Sequence, residues 1–181
     1  MITARIPRDR RGSGRPQARR SRGFGADATA QAPCPCGTGM ALAECCGRLH
    51  LRFAESGELR APTAEALMRS RYTAFALLGA LDPEMDRALA EDLAGYLAAT
   101  WAPENRPSVE ELLPTAESPN ARFTRLQVLT LRDGGPFQSI GLVEFVALGV
   151  NDAGRFRLHE LSRFRREDGA WLYIDGVVEE S

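Results

Sequence analysis

Cys34, Cys36, Cys45 and Cys46 lie within thirteen residues, and the chain contains no other cysteine. The spacing C-x-C-x8-C-C gathers four thiols on one short loop with too little apolar material between them to need a core of its own. Four convergent thiolates suit tetrahedral Zn²⁺, with Zn–S distances of about 2.3 Å and every position filled, so the expected site is structural and not catalytic. Gly37 and Gly39 fit this reading, because a glycine beside a ligating pair can turn at positive φ and aim backbone N–H groups at sulfur. Arg48 is placed to offset the negative charge of such a centre.

Two other chemistries compete for these thiols. A Cys45–Cys46 disulfide would be a strained ring and Cys34–Cys36 little better, so disulfides would have to cross between the two ends. Disulfides also need an oxidising compartment. The N-terminus lacks the apolar segment of a secretory signal, and the expected location is the cytoplasm. Redox chemistry is the third reading, but C-x-C is not the C-x-x-C of thioredoxin-like oxidoreductases, and no βαβ pattern surrounds it. Zinc is the favoured reading.

A second group of residues has chemical potential further along the chain. In the stretch Arg155–Arg165, Phe156, Leu158, Glu160, Ser162 and Phe164 share one face, and Arg155, Arg157, His159, Arg163 and Arg165 share the other. Glu160 is thus a carboxylate in an apolar row. With Asp168-Gly169 at the centre of the following hairpin turn, Phe164 faces Tyr173, Ser162 faces Asp175 and Glu160 faces Val177. This register predicts Glu160, Ser162, Tyr173 and Asp175 on one concave face. Arg71 sits near the middle of an apolar helical stripe and needs a partner there, since an unpaired buried guanidinium is very costly.

The favoured reading of this group is a buried Arg71–carboxylate pair that fixes helix against sheet. The functional alternative is a polar cavity in which a carboxylate acts as general base. His159 is expected on the solvated outer face and His50 on the surface. Glu144 cannot be placed, because a one-residue change in the adjacent loop would move it to the other face.

The elements that position these groups are legible in the periodicity. Thr63 is an N-cap candidate for a helix running to about Gly79, with Ala64, Leu67, Met68, Arg71, Tyr72, Phe75 and Leu78 on one face. Glu65, Arg69, Ser70 and Thr73 lie opposite. A second helix is expected from Asp82-Pro83, with Asp as cap and Pro at the first helical position, ending near Trp101-Ala102-Pro103. From Arg122 the period becomes two. Four strands are predicted at Arg122–Leu131, Gln138–Val150, Arg155–Arg165 and Ala170–Val178, separated by Asn-, Asp- and Gly-rich hairpin connectors. Helices followed by an antiparallel meander define an α+β fold with helices on one face of a curved sheet.

Composition bounds the rest. The 181 residues are 44% hydrophobic and 26% charged, values of an ordinary globular chain, and no apolar run approaches a membrane span. All 23 basic residues are arginine. Eight of them lie in residues 1–32 against Asp9 and Asp27, with Phe24 as the single aromatic, so the stretch is expected to be a disordered tail. A non-specific nucleic-acid contact through phosphates is the functional reading of that tail, and a solvated leader is the favoured one.

Several blocks resemble known families. Cys-Pro-Cys-Gly-Thr-Gly through Cys-Cys-Gly (34–47) is similar to a SEC-C motif, the zinc-binding module named for the C-terminal end of the SecA translocation motor. Ala-Pro-Thr-Ala-Glu-Ala-Leu-Met-Arg-Ser-Arg-Tyr (61–72) resembles the YchJ-type family. So do Tyr-Leu-Ala-Ala-Thr-Trp (96–101), Val-Glu-Phe-Val-Ala (143–147), His-Glu-Leu-Ser-Arg-Phe (159–164) and Trp-Leu-Tyr-Ile-Asp-Gly (171–176). The resemblance implies a SEC-C knuckle at 33–50 with zinc on the four cysteines. It further implies a cone-shaped α+β domain at 61–181, similar to nuclear transport factor two. It supplies no activity. Two departures stand out: the family's Trp-His-Pro reads Trp101-Ala102-Pro103, and the second SEC-C motif that some members carry is missing from this sequence.

The expected function is therefore that of a binding or adaptor module. By analogy with SecA its partner would belong to the chaperone, secretion or translation machinery. A small-molecule enzyme of isomerase, dehydratase or hydrolase type is the alternative, with Glu160 or Asp175 as base and Tyr173 or Tyr72 as donor. The basic outer sheet face points to a monomer.

Overall fold

The period-two segments pair as they must when each turn supplies left-handed backbone. In the last hairpin Asp168 and Gly169 have φ of 48° and 85°, the two positive values of a type I′ turn. The computed structural model, which describes residues 28–82, 84–114 and 121–179, joins β1 (Arg122–Asp133), β2 (Ile140–Asn151), β3 (Gly154–Glu167) and β4 (Ala170–Glu179) into one antiparallel meander in sequence order. Most of the Arg-rich tail, and Pro83, lie outside the described residues.

Among the described residues five helices precede the sheet: α1 (Ala28–Gln31), α2 (Gly47–Ser56), α3 (Ala64–Leu78), α4 (Arg87–Ala99) and α5 (Val109–Leu112). Thr63 caps α3 as its sequence position demands, its side chain accepting from Ala66 N at 3.0 Å. Helix α4 begins later than the Asp82-Pro83 signal suggests. Asp82 instead accepts from Glu84 N and Met85 N, capping a separate turn before the helix.

α3 crosses the concave face of the sheet. Its first residue rests on two glycines: a Cβ on Gly141 would stand 2.7 Å from Gly134 Cα and 2.8 Å from Ala64 Cβ, and Ala64 N donates to Gly134 O at 2.9 Å. Only glycine permits so close an approach. The expected inward face of α3 is buried, but so is much of the face expected to be polar. Ser70 and Thr73 are fully buried, because α2 and α4 form a second layer over that side of α3. Ser70 Oγ lies 2.6 Å from Tyr96 Oη of α4.

α2 has no counterpart among the expected elements, and it carries His50 inward. His50 is 2% exposed, contrary to the surface position expected of it. Its Nε2 donates to Ser70 O at 3.0 Å, and its ring meets Tyr96 edge-on at 4.7 Å. Burial pushes this imidazole down to about 4. The outer sheet face is also less uniform than expected, with Ile140, Leu161 and Val177 exposed between the arginines. Among the described residues no helix is long and apolar enough to cross a membrane.

Candidate functional site

The thiol loop is built by backbone turns. Cys34 N donates to Met40 O at 2.8 Å and Gly37 N to Cys34 O at 3.1 Å. Gly37 and Gly39 both sit at φ +81°, where an L side chain would be strained. The chain then makes one 3₁₀ turn at Leu42–Glu44 and enters α2 directly after Cys46.

All four Sγ atoms lie within 4.8 Å of one another, and all four cysteines are free. Cys36 and Cys45 are 3.5 Å apart, and Cys45 and Cys46 3.9 Å. A tetrahedron with 2.3 Å metal–sulfur bonds has edges of about 3.8 Å, so these separations fit one ion held by four thiolates. Mutual hydrogen bonding already splits the thiols: contacts with Cys34 and Cys46 hold Cys36 well below the ordinary range, and contacts with Cys34 and Cys36 push Cys46 above it.

The knuckle is not a separate body. Cys34, Cys36 and Cys46 pack in the same apolar cluster as Leu67, Met68, Tyr72, Phe164 and Trp171. Cys34 Sγ lies 3.7 Å from Thr73 Oγ1. Arg69 Nη1 donates to Cys36 O at 2.9 Å while its Nε pairs with Glu65 at 2.8 Å. Arg69 is thus the cation tied to the loop, and Arg48, expected in that role, is exposed.

Between α3 and the sheet lies a cavity of about 260 Å³. Among the described residues seven aromatic side chains line it, including Tyr72, Trp101, Phe123, Phe145 and Tyr173, with Arg71 and Glu160 as the charged groups and Ser162 adding a hydroxyl to those of the two tyrosines. The structure brings Arg71, Glu160, Ser162 and Tyr173 together as the strand pattern predicts. Glu160 Oε1 accepts from Ser162 Oγ at 2.5 Å and from Tyr173 Oη at 2.9 Å. Burial, reinforced by Glu160, raises the Tyr173 phenol above its usual range. Gly176 gives the carboxylate its room: a Cβ there would fall 2.1 Å from Glu160 Oε1.

Asp175 is not in this group. Phe164 does face Tyr173, but the register shifts between Arg163 and Phe164, with Ile174 as the extra residue. The bulge turns Asp175 to the outer face, opposite Arg163, and puts Gly176 opposite Ser162 and Val178 opposite Glu160. Asp175 Oδ1 accepts from Arg163 Nε at 2.6 Å, and that guanidinium holds its carboxyl below the usual range.

Arg71, 6% exposed, finds a partner other than the expected carboxylate. Its Nη1 donates to Leu97 O at 3.0 Å and Thr100 Oγ1 at 2.7 Å. Leu97 O is among the last carbonyls of α4, which lack a helical donor and carry the negative end of the helix dipole. The guanidinium carbon lies 4.0 Å from the Trp101 ring centre and 4.6 Å from that of Tyr173, a double cation–π contact. Burial lowers its pKa to about 10 against the pull of Tyr173, Tyr96 and Glu160. Trp101, like Phe123 and Phe145, is a cavity residue that periodicity did not assign. Beyond the end of α4, Ala102 N donates to Tyr173 O at 2.7 Å and Tyr173 N to Thr100 O at 2.8 Å, a parallel bridge that holds the indole over Arg71.

His159 faces outward as expected but is not solvated. It lies 2.9 Å from Glu144 and 2.9 Å from Glu179, which also places Glu144 on the outer face.

Comparison with known proteins gives a consistent picture. A family profile described as "YchJ, middle NTF2-like domain" matches residues 87–176, and a SEC-C motif profile matches residues 32–48. A UPF0225 protein of Streptomyces coelicolor is 42% identical over 133 residues, covering 74% of this chain and 85% of the relative. A UPF0225 protein of Corynebacterium glutamicum is 43% identical over 140 residues, covering 77% and 92%. The solution structure of a SEC-C motif containing protein from Rhodopseudomonas palustris superimposes with a TM-score of 0.60 at 31% identity, over 82% of this chain and 100% of that one. The crystal structure of a SEC-C motif containing protein from Psychrobacter arcticus gives 0.60 at 24% identity, over 84% and 86%, a likeness of fold alone.

Proposed function

The chain belongs to the YchJ (UPF0225) family, and from that premise we propose that it is a binding protein: four cysteines hold a structural zinc ion, and the cone cavity receives a small, largely apolar ligand. The observation that carries this reading is the lining of the cavity. An aromatic wall surrounds a few convergent polar groups in the concavity of a curved sheet, the usual composition of a small-molecule site. Among the described residues neither cysteine nor histidine lines it. The thiols share a core with Met68, Tyr72 and Phe164 of the wall without lining the cavity, so metal and ligand would occupy adjacent but separate places.

Zinc is the ion that four thiolates with these separations suit best. When bound it supplies a closed cross-link with no open coordination position. In short zinc peptides such a site stabilises the fold by an apparent ~10–16 kcal/mol. The residues at the knuckle tip are its outward surface, and Met40 is 47% exposed there. That apolar tip is the part of the knuckle offered to a protein partner.

A second reading, enzymatic, is favoured by the Ser162–Glu160–Tyr173 cluster, since a carboxylate with two hydroxyl donors inside an apolar cavity is positioned for proton transfer. Of the two bases expected for it, Asp175 faces outward on Arg163, which leaves Glu160 alone in that role, already committed to two hydroxyls. The binding reading is therefore preferred.

Native mass spectrometry of protein purified from its own host tests the proposal. It should report one zinc per chain and a co-purifying small molecule. Metal-free protein with bridged thiols would overturn the zinc assignment. A cavity that admits no small apolar probe would overturn the binding role.

A further inference from the structure

We propose that the cavity binds a small aromatic carboxylic acid carrying a hydrogen-bond donor beside its carboxylate, with the carboxylate on Arg71 and the donor on Glu160. This rests on the reading of the cavity as a binding site and adds the chemistry of its occupant.

A guanidinium has five N–H donors and no acceptor. Arg71 commits Nη1 to α4, and among the described residues no other hydrogen bond to its guanidinium is found. The remaining edge belongs to a side chain that is nine-tenths buried and lines the cavity. Those donors are not among the sealed, partnerless polar atoms of the described residues, so water can serve them now. An apolar occupant that expels it would leave them unpaired at a desolvation cost. An anionic acceptor inside the cavity removes that cost, and a planar carboxylate matches the guanidinium fork. Among the described residues Arg71 is the single cation of the lining, which suits one negative charge and not a phosphate.

Glu160 supplies the second requirement. Its Oε1 is occupied by Ser162 and Tyr173, and among the described residues no donor is found for its other oxygen. A simple anion would be repelled by this carboxylate. A hydroxyl or amino group next to the ligand's own carboxylate would instead donate to it and turn the repulsion into a hydrogen bond. Size and wall complete the description. The cavity of about 260 Å³ is at the small end of ligand pockets, room for a single ring with a short acid chain. Rings can meet Trp101, Phe123 and Phe145 edge-on or offset.

The test uses the zinc-loaded full chain and three probes, 3-phenylpropanoate, 3-phenyllactate and the neutral 3-phenylpropanamide. Binding is followed by calorimetry and by the tryptophan fluorescence, to which Trp101 in the wall and Trp171 in the core both contribute. The acid should bind at least about tenfold tighter than the amide, the scale of a charge-assisted hydrogen bond. Phenyllactate should bind tighter still, and Glu160→Ala should abolish that margin while leaving the simple acid's binding at least as tight, since the repelling carboxylate is gone. Arg71→Met should lose the acid and keep the amide. If that variant does not fold, the acid-to-amide ratio of the unmodified protein decides alone.

Equal binding of acid and amide would overturn the anion assignment and leave the cavity as an apolar binding site. Phenyllactate no tighter than phenylpropanoate would overturn the role given to Glu160. No binding of any probe up to ~5 mM, with the tryptophan fluorescence unmoved, would overturn both this inference and the binding role beneath it.

Discussion

Replacing Gly176 by alanine tests the internal logic of the cavity with one methyl group. Gly176 is not at positive φ, so the backbone accepts alanine and any effect comes from contact. The added Cβ would meet Glu160 Oε1, Cδ and Cγ at 2.1, 2.4 and 2.6 Å. Ordinary contacts are about 3.5 Å or longer, so the outer half of the glutamate must leave its place. It then loses the hydrogen bonds from Ser162 and Tyr173. Tyr173 is half-buried and can turn to water, whereas Ser162 is fully buried and its hydroxyl is stranded. A hydrogen bond to a charged group contributes ~1.5–3 kcal/mol, and a stranded buried donor costs ~1–3 kcal/mol. The expected loss is ~2–3 kcal/mol, a fall in Tm of roughly 5–10 °C at ~2–4 °C per kcal/mol for a domain of this size. The assay is a double-mutant cycle by urea denaturation with Glu160→Ala. Once the glutamate is absent the methyl has nothing to displace, so the double variant should be no less stable than Glu160→Ala alone, a coupling of ~2 kcal/mol. Strict additivity, within ~0.5 kcal/mol, would refute the claim that Gly176 exists to seat Glu160.

Chelation of the metal should lower the Tm of the whole chain in a single transition, because the cysteines share a core with Leu67, Phe164 and Trp171; a sheet that melts at an unchanged temperature would show the knuckle to be independent. Gly47→Ala should weaken metal retention in a competition assay and destabilise by ~2 kcal/mol or more, since its Cβ would lie 2.6 Å from Leu42 O, a backbone atom that cannot swing away. Asp175→Asn should leave ligand binding unchanged by calorimetry, for its carboxylate faces Arg163 outside the cavity. Arg165 holds the exposed Glu104 carboxyl down at about 2, one bond between them measuring 2.9 Å. A depressed carboxylate stabilises the fold above its unfolded value near 4.5 and loses that effect as pH falls through about 2. The Tm difference between the unmodified protein and Glu104→Gln should therefore shrink across that window, and a difference independent of pH would sink the assignment.

Much of this arrangement is written locally along the chain. The thiol quartet follows from spacing alone, because thirteen residues with two glycines at φ +81° leave the four sulfurs little choice but to converge. The order of helices and strands follows from the switch of period at Arg122. The inward row of Phe156, Leu158, Glu160, Ser162 and Phe164 follows from strict alternation on β3, and Arg71 from its place in the stripe of α3. Alternation could not reveal a bulge. One unpaired residue at Ile174 sends Asp175 to the opposite face from the one counted, since every side chain beyond a slip of one changes sides.

Periodicity likewise reports only that a residue has a buried side, not how many layers bury it. Ser70, Thr73 and His50 read as surface until α2 and α4 close over the second face of α3. The partner of Arg71 is a carbonyl at the end of α4 and two rings from distant elements, a meeting that no local pattern encodes. Composition and period thus determined which groups are available and roughly which way they point. Tertiary structure decided which of them meet, because a contact between Arg71 on α3, Trp101 after α4 and Tyr173 on β4 depends on how three separate elements stack in space.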